Sequence, residues 1–226
     1  MKIYPLNKSI ISVQGEEVWQ FLNGLTSNVK GADKNAFLTI HGKIMATFDQ
    51  SRIKEDEFLL LVEKPFDIAI VEHLKKFVVI SHVKVMLWPD HRVYFDMDNS
   101  LVIGPKDHVI PQEQGKLFIT SQHLEANVSD EEYTLFRLKH NMPLHSVDYK
   151  DEFLLNVSVS KYVSFNKGCY LGQEPVSKVI SRSKPSRRLE VRAESQCSDE
   201  EKAKMTSKAK DPQSGETVGF VFVENK

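Results

Sequence analysis

The chain has 226 residues, 41% of them hydrophobic and 27% charged, with a formal net charge of −1. That length holds one sizeable core, or one main core and a small second domain, and the composition is that of an ordinary globular protein. Near-neutral charge excludes a general attraction to nucleic acid or acidic membrane, so any such partner needs a local patch.

Residues 9–13 read as a strand leading into a helix over 15–25, where Val18, Phe21, Leu22 and Leu25 fall at helical spacing and Gly24 is placed to end it. Residues 36–40 and 44–53 are predicted strands joined across His41-Gly42-Lys43, a hairpin signal, and 57–62 is a third strand. Pro65 opens a helix whose stripe is Phe66, Ile70, Leu74 and Phe77; a strand over 78–87 follows, ended by Trp88-Pro89. Short strand-like pieces run from 90 to 119. Ser129 and Glu132 form a capping box, with Val128 and Tyr133 as its hydrophobic staple, for a helix reaching about His140. After Ile180 the chain turns basic, then polar, and only 216–223 resembles a strand. Strands and helices without a doubly wound rhythm imply an α+β architecture.

The longest apolar runs, such as 58–62, are too short to cross a bilayer, and the first residues lack the apolar core of a signal peptide. The two cysteines, Cys169 and Cys197, make no disulfide framework. A cytoplasmic, reduced setting is expected. The histidines show no zinc spacing with cysteine, so no metal site is assigned, and two distant cysteines do not supply the four thiolates of an iron–sulfur cluster.

Chemistry concentrates in Lys167-Gly168-Cys169-Tyr170-Leu171-Gly172-Gln173-Glu174. A cation, a flexible backbone position and a thiol stand together, and a helix starting near Glu174-Pro175 adds its positive end. Both cation and helix favour the thiolate. Gln173 and Glu174 offer an amide and a carboxylate to a polar ligand. On residue chemistry alone a second reading stays open: a small buried thiol between two turn glycines. The run Lys178, Arg182, Lys184, Arg187, Arg188 and Arg192, against the single acid Glu190, is either a solvated junction or a seat for a polyanion.

The segment 167–174 resembles the Lys-Gly-Cys-Tyr-x-Gly-Gln-Glu signature of YgfZ-type folate-binding proteins, in the superfamily of the glycine-cleavage T-protein (GcvT). All seven specified positions are present. The stretch from Phe21 to Asn28, the turn Gly42-Lys43-Ile44-Met45, Glu152-Phe153-Leu154, and Gly215 with Gly219 resemble further family segments in the same order. The resemblance implies a GcvT-like folate-binding domain with a central hole over residues 1–184, and a short C-terminal β-barrel-like domain over 185–226. It also implies tetrahydrofolate or a derivative as cofactor, a part in maturing or repairing iron–sulfur proteins, and indirect support of tRNA modification. Cys169 would be the essential thiol, with Lys167, Gly168, Tyr170, Gly172, Gln173, Glu174, Asn28, Glu152 and Lys178 as cofactor-binding residues. The expected partners are a folate, iron–sulfur client or assembly proteins, and tRNA through the basic run; no membrane is expected.

Two departures stand out. Val29 replaces the family's Asp, and Lys178 replaces a common Arg, losing the bidentate fork. The T-protein branch carries an Asp pair where this chain has Ala46 and Thr47, neither able to take a proton as a carboxylate does. Asp49, on the strand face of Thr47, is the one substitute. A factor using Cys169 is therefore favoured over an aminomethyltransferase, with a degenerate binding module as the third reading.

Overall fold

The computed structural model describes residues 1–29, 32–158, 160–182 and 184–225. Its elements in chain order are β1 (Ile3–Leu6), β2 (Lys8–Gln14), α1 (Val18–Leu25), β3 (Lys34–Leu38), β4 (Ile44–Lys54), β5 (Glu57–Glu63), α2 (Lys64–Val78), β6 (Lys84–Leu87) and β7 (Arg92–Asp96). They continue with β8 (His108–Pro111), β9 (Lys116–Thr120), α3 (Asp130–Lys139), α4 (Leu154–Val157), α5 (Gln173–Arg182), β10 (Arg187–Ala193), α6 (Asp199–Lys204), β11 (Thr206–Lys210) and β12 (Thr217–Glu224). The strands pair antiparallel in three sheets, ordered β3-β4-β5-β2-β6, β1-β7-β9-β8 and β10-β12-β11.

The centre of the molecule is β5, buried along its whole length. Successive side chains of a strand point to opposite faces. Phe58, Leu60 and Val62 accordingly pack with Val18, Leu22, Ile70 and Leu74 of α1 and α2. Leu59 and Leu61 pack instead with Val93, Phe95, Leu117 and Ile119 of the four-stranded sheet. Helices thus cover one face of the five-stranded sheet and a second sheet covers the other, which is why this strand reads as an unbroken apolar run. Leu59, Leu60 and Leu61, at 0% exposure, each contribute about 1.5–3 kcal/mol by burial.

A third core joins the two ends of the chain. Leu38 and Ile44 of the first hairpin pack with Leu154, Leu155 and Val176, and with Leu189, Ala209 and Phe220 of the C-terminal sheet. Arg137, buried on α3, reinforces this junction: one amino group meets Asp148 at 2.7 Å and the other meets Ser207 at 2.7 Å. Asp148 also accepts from the Thr206 hydroxyl at 2.8 Å, so α3, the 142–149 loop and β11 meet at one carboxylate.

Several sequence expectations change. Gly24 lies inside α1, which ends at Leu25 with the Thr26 N–H bonded to the Leu22 carbonyl. The strand expected over 78–87 shrinks to Lys84–Leu87, because the Phe77 stripe carries α2 on to Val78 and leaves Val79 and Ile80 exposed. Ser129 caps α3 by accepting from the Glu132 N–H, but the Glu132 carboxylate pairs with Lys2 at 2.7 Å, so half of the expected box is made. A second box, Ser198 with Glu201, starts α6. Beyond Ile180 the sequence reading missed β10, α6 and β11. In β10, Leu189 is buried between the charged Arg188, Glu190 and Arg192, and those charges masked the period-two pattern. Where the resemblance implies a barrel, the described residues form an open three-stranded sheet.

Candidate functional site

The signature segment lies between the end of α1 and the start of α5. Lys167, half-buried, donates from its ammonium to the main-chain carbonyls of Asn23 at 2.9 Å, Asn28 at 3.1 Å and Thr26. Burial pushes its pKa down to about 8. The ammonium also lies 4.9 Å from the ring centre of Tyr170, a cation–π contact. It therefore caps the last carbonyls of a helix and the turn beyond, as a cation at a helix C-terminus does. Cys169 is exposed, whereas Cys197 is buried and its thiol pushed up by that burial.

The two glycines of the segment differ. Gly172 has φ +84°, and a Cβ there would stand 2.4 Å from the Thr39 carbonyl oxygen, so both the turn and the close approach to the hairpin require glycine. A Cβ on Gly168 would meet nothing within 4 Å. The Leu171 N–H bonds to the Gly24 carbonyl at 3.1 Å, a second tie to α1. Gln173 and Glu174 form the first turn of α5, and Lys178 stands exposed one turn later.

Asn28 is buried and works on the backbone. Its carboxamide donates to the carbonyls of Lys34 at 3.0 Å and Lys161 at 3.2 Å, and its N–H donates to the Asn35 side chain at 2.7 Å. The neighbouring Ser27 hydroxyl donates to the Tyr162 carbonyl at 2.6 Å. Glu152 holds the α4 region: it pairs with Arg187 and accepts from Asn156 at 2.9 Å. The Arg188 and Arg192 side chains both pair with Glu190, at 2.7 and 2.5 Å. Two carboxylates, Glu152 and Glu190, thus engage three of the run's six cations.

The central cavity lies elsewhere, among β2, β3, β4, β5 and the loop 141–149, and none of the ten residues expected at the site lines it. Its interior is about 100 Å³, room for a few waters. One wall is charged. Asp49 lies 2.7 Å from Lys34 and 3.4 Å from Lys8, and Lys8 lies 2.7 Å from Glu63. Burial opposes the charges of Asp49, Lys8 and Lys34, yet their partners prevail: Asp49 is held below the usual carboxylate range and both lysines above theirs. The Thr47 and Tyr149 hydroxyls share a hydrogen bond of 2.7 Å, and Phe48, Phe95, Leu117 and Met142 supply apolar surface. His145, also on the wall, stacks on Phe66 at 3.9 Å and on Tyr149 at 5.2 Å, and neither ring nitrogen has a protein partner. Sequence reasoning weighed Asp49 but missed Lys8, Lys34, Glu63, His145 and Tyr149. The available signal was a charge at the inward register of an otherwise apolar strand.

The signature and the cavity meet through residues 26–28. Lys167 holds the carbonyls of Thr26 and Asn28, while Ser27 and Asn28 hold the backbone of Lys34, Lys161 and Tyr162, which line the cavity.

The architecture matches a solved structure, the glycine cleavage system aminomethyltransferase T from Bartonella henselae, with a TM-score of 0.75 over 99% of this chain and 78% of that one, at 13% identity. The chain has the T-protein fold. In sequence it is 27% identical over 202 residues to an uncharacterized protein of Haemophilus influenzae, covering 80% of this chain and 69% of that protein. It is 24% identical over 216 residues to the mitochondrial iron-sulfur cluster assembly factor IBA57 homolog of Coccidioides immitis, covering 75% of this chain. The chain spans about half, 51%, of that second relative's length. No protein-family model matches. Within the T-protein fold the cavity lies among the strands and the exposed thiol outside it. Among the described residues no helix is long and apolar enough to cross a membrane.

Proposed function

We propose that this chain binds tetrahydrofolate or a close derivative in the central cavity. In this reading it is a YgfZ-type factor that assists assembly or repair of iron–sulfur proteins through Cys169, and so supports tRNA modification indirectly. Residues 1–184 form the folate-binding unit and 185–226 a smaller unit packed on it. The observation that carries the reading is the junction at residues 26–28, which fastens an exposed thiol's loop to the wall of the cavity.

The residues present suit a pterin. A flat ring with donors and acceptors on its edge matches Asp49, Lys34 and the Thr47–Tyr149 pair, and its faces match Phe48, Phe95 and Leu117. The narrow interior puts such a ring in contact with both walls. When bound, tetrahydrofolate supplies a carrier for one-carbon units. The name of the Coccidioides relative adds support for iron–sulfur assembly as the process served.

Asp49 favours one other reading, a folate-dependent transferase, since it brings a carboxylate into the cavity despite Ala46 and Thr47. Its two lysines, however, hold it ionised and engaged, so it is a hydrogen-bond acceptor and a weak base.

The test is calorimetric titration of wild type and Cys169→Ala with tetrahydrofolate, beside rescue of iron–sulfur enzyme activity in cells lacking the protein. Both proteins are expected to bind equally, and only wild type to rescue. Absence of binding defeats the folate reading; full rescue by Cys169→Ala defeats the role of the thiol. Turnover in a glycine-cleavage assay would select the transferase instead.

A further inference from the structure

Back to back with the central cavity, and sharing Leu6 and Lys8 with it, lies a second cleft of about 460 Å³. It opens between β1–β2, the first turn of α2 and the turn joining β6 to β7. Trp88 is one wall, its indole held by the His91 ring at 4.7 Å and the His108 ring at 5.8 Å. Lys64, His91 and Arg92 bring nitrogen groups to the same cleft, and among the described residues neither Lys64 nor Arg92 has an ion pair. The facing acid, Asp67, is already satisfied: its carboxylate accepts from the Ser9 hydroxyl at 2.5 Å and from the Ile68 N–H at 2.8 Å. Lys8, at the back, is held by Glu63 and Asp49.

The cleft therefore offers a flat aromatic wall beside two cations that no ion pair among the described residues engages, facing the one carboxylate of Asp67, whose hydrogen bonds come from neutral donors and leave its charge in place. Two cations outnumbering one acid in a concave site attract an anion, and an indole face binds a planar ring. We propose that this cleft is a second binding site, for a ligand that joins a flat ring to two or more negative charges, with the ring on Trp88 and the charges on Lys64 and Arg92. Two chemistries fit that description: a nucleoside diphosphate, or a folate carrying several glutamates whose tail leaves the central cavity past Lys8. The nucleotide arm is independent of the proposed function; the tail arm rests on it.

Calorimetry on wild type with ADP, pteroylmonoglutamate and pteroyltriglutamate separates the two. Trp19→Phe protein leaves Trp88 as the one tryptophan, whose emission locates the bound ADP. Quenching by ADP assigns a nucleotide, and tighter binding of the triglutamate than the monoglutamate assigns the tail. In either case Lys64→Met with Arg92→Met should weaken the responsible ligand about thirtyfold, which corresponds to about 2 kcal/mol for the two cations together. Both side chains are exposed, so thermal melting of the double variant should match wild type. Absence of ADP binding together with equal affinity for the two pteroyl compounds overturns the proposal, as does a double variant that binds like wild type. ADP binding without any pteroyl binding would uphold the cleft and defeat the folate reading; pteroyl binding indifferent to tail length, without ADP binding, would do the reverse.

Discussion

The Lys167 ammonium lies 3.1 Å from the carbonyl oxygen of Asn28, whose own carboxamide holds the carbonyls of Lys34 and Lys161 on the cavity wall. Lys167 is thus a positioning residue: it ties the loop of Cys169 to the backbone that builds the cavity. Replacing it with Met removes a charged donor from three partly buried carbonyls, of which Asn28 keeps a long bond from the Asn35 carboxamide at 3.4 Å. The expected cost is about 1–3 kcal/mol in urea unfolding. Iodoacetamide should also modify Cys169 several-fold faster, because the loop loses its anchor. Unchanged stability and unchanged labelling would show that the contact fastens nothing.

The two glycines of the signature should respond in opposite ways. Gly172→Ala forces a side chain into a left-handed backbone and to within 2.4 Å of the Thr39 carbonyl, a strain of about 1–3 kcal/mol before any clash is counted. Gly168→Ala meets open space and should change stability by less than about 1 kcal/mol. Thermal melting of the two variants decides the matter; equal melting temperatures would refute the packing account of Gly172.

Asp49 is the counter-ion of Lys34, a half-buried side chain, at 2.7 Å and of the more deeply buried Lys8 at 3.4 Å. Asp49→Asn leaves Lys34 without an acid, while Lys8 keeps Glu63 at 2.7 Å. Breaking a buried pair on one side costs about 3–5 kcal/mol. Because Lys8 retains a partner, the lower figure is expected. A loss below about 1 kcal/mol in urea unfolding would mean that solvent already screens the cluster.

The elements with strong periodicity were legible: Phe66, Ile70 and Leu74 announced α2, and the apolar run at 58–62 announced β5. The residues alone gave an α+β architecture; the T-protein fold was implied by the resemblance of segments spread over the chain to a known family, and the solved structure of that fold matches. The central cavity was not legible, because Lys8, Asp49 and Glu63 are ordinary charges in sequence and become a cluster only when β2, β4 and β5 pair side by side. Lys167 was read as a neighbour of the thiol, being two residues away in sequence. Its side chain instead turns to carbonyls more than a hundred positions earlier, a long-range contact that no local pattern encodes. Of the strands after Ile180, β12 was legible at 216–223, while β10 and β11 were hidden for the opposite reason, their local charges being more conspicuous than their alternation.

His145 gives the sharpest pH signature. Its ring is 2% exposed, stacked between Phe66 and Tyr149, with both nitrogens unpartnered by protein. Burial, with the fields of Lys8 and Lys150, pushes its pKa down to about 4 from 6.5. The native ring therefore refuses a proton that the unfolded chain accepts. Stability from this residue is fully present above pH 6.5 and is lost as pH falls towards 4. By pH 5 the loss amounts to about 2 kcal/mol. His145→Phe keeps the stack and removes the titrating group. The variant should match or exceed wild type at pH 7, where two unpaired nitrogens are gone, and should lead it by about 2 kcal/mol more at pH 5. Other buried histidines, such as His73, titrate in both proteins and cancel in the difference. Urea unfolding of the pair at the two pH values measures it directly. Parallel profiles would mean that His145 meets water or a ligand that the stack leaves room for, and takes up its proton without cost.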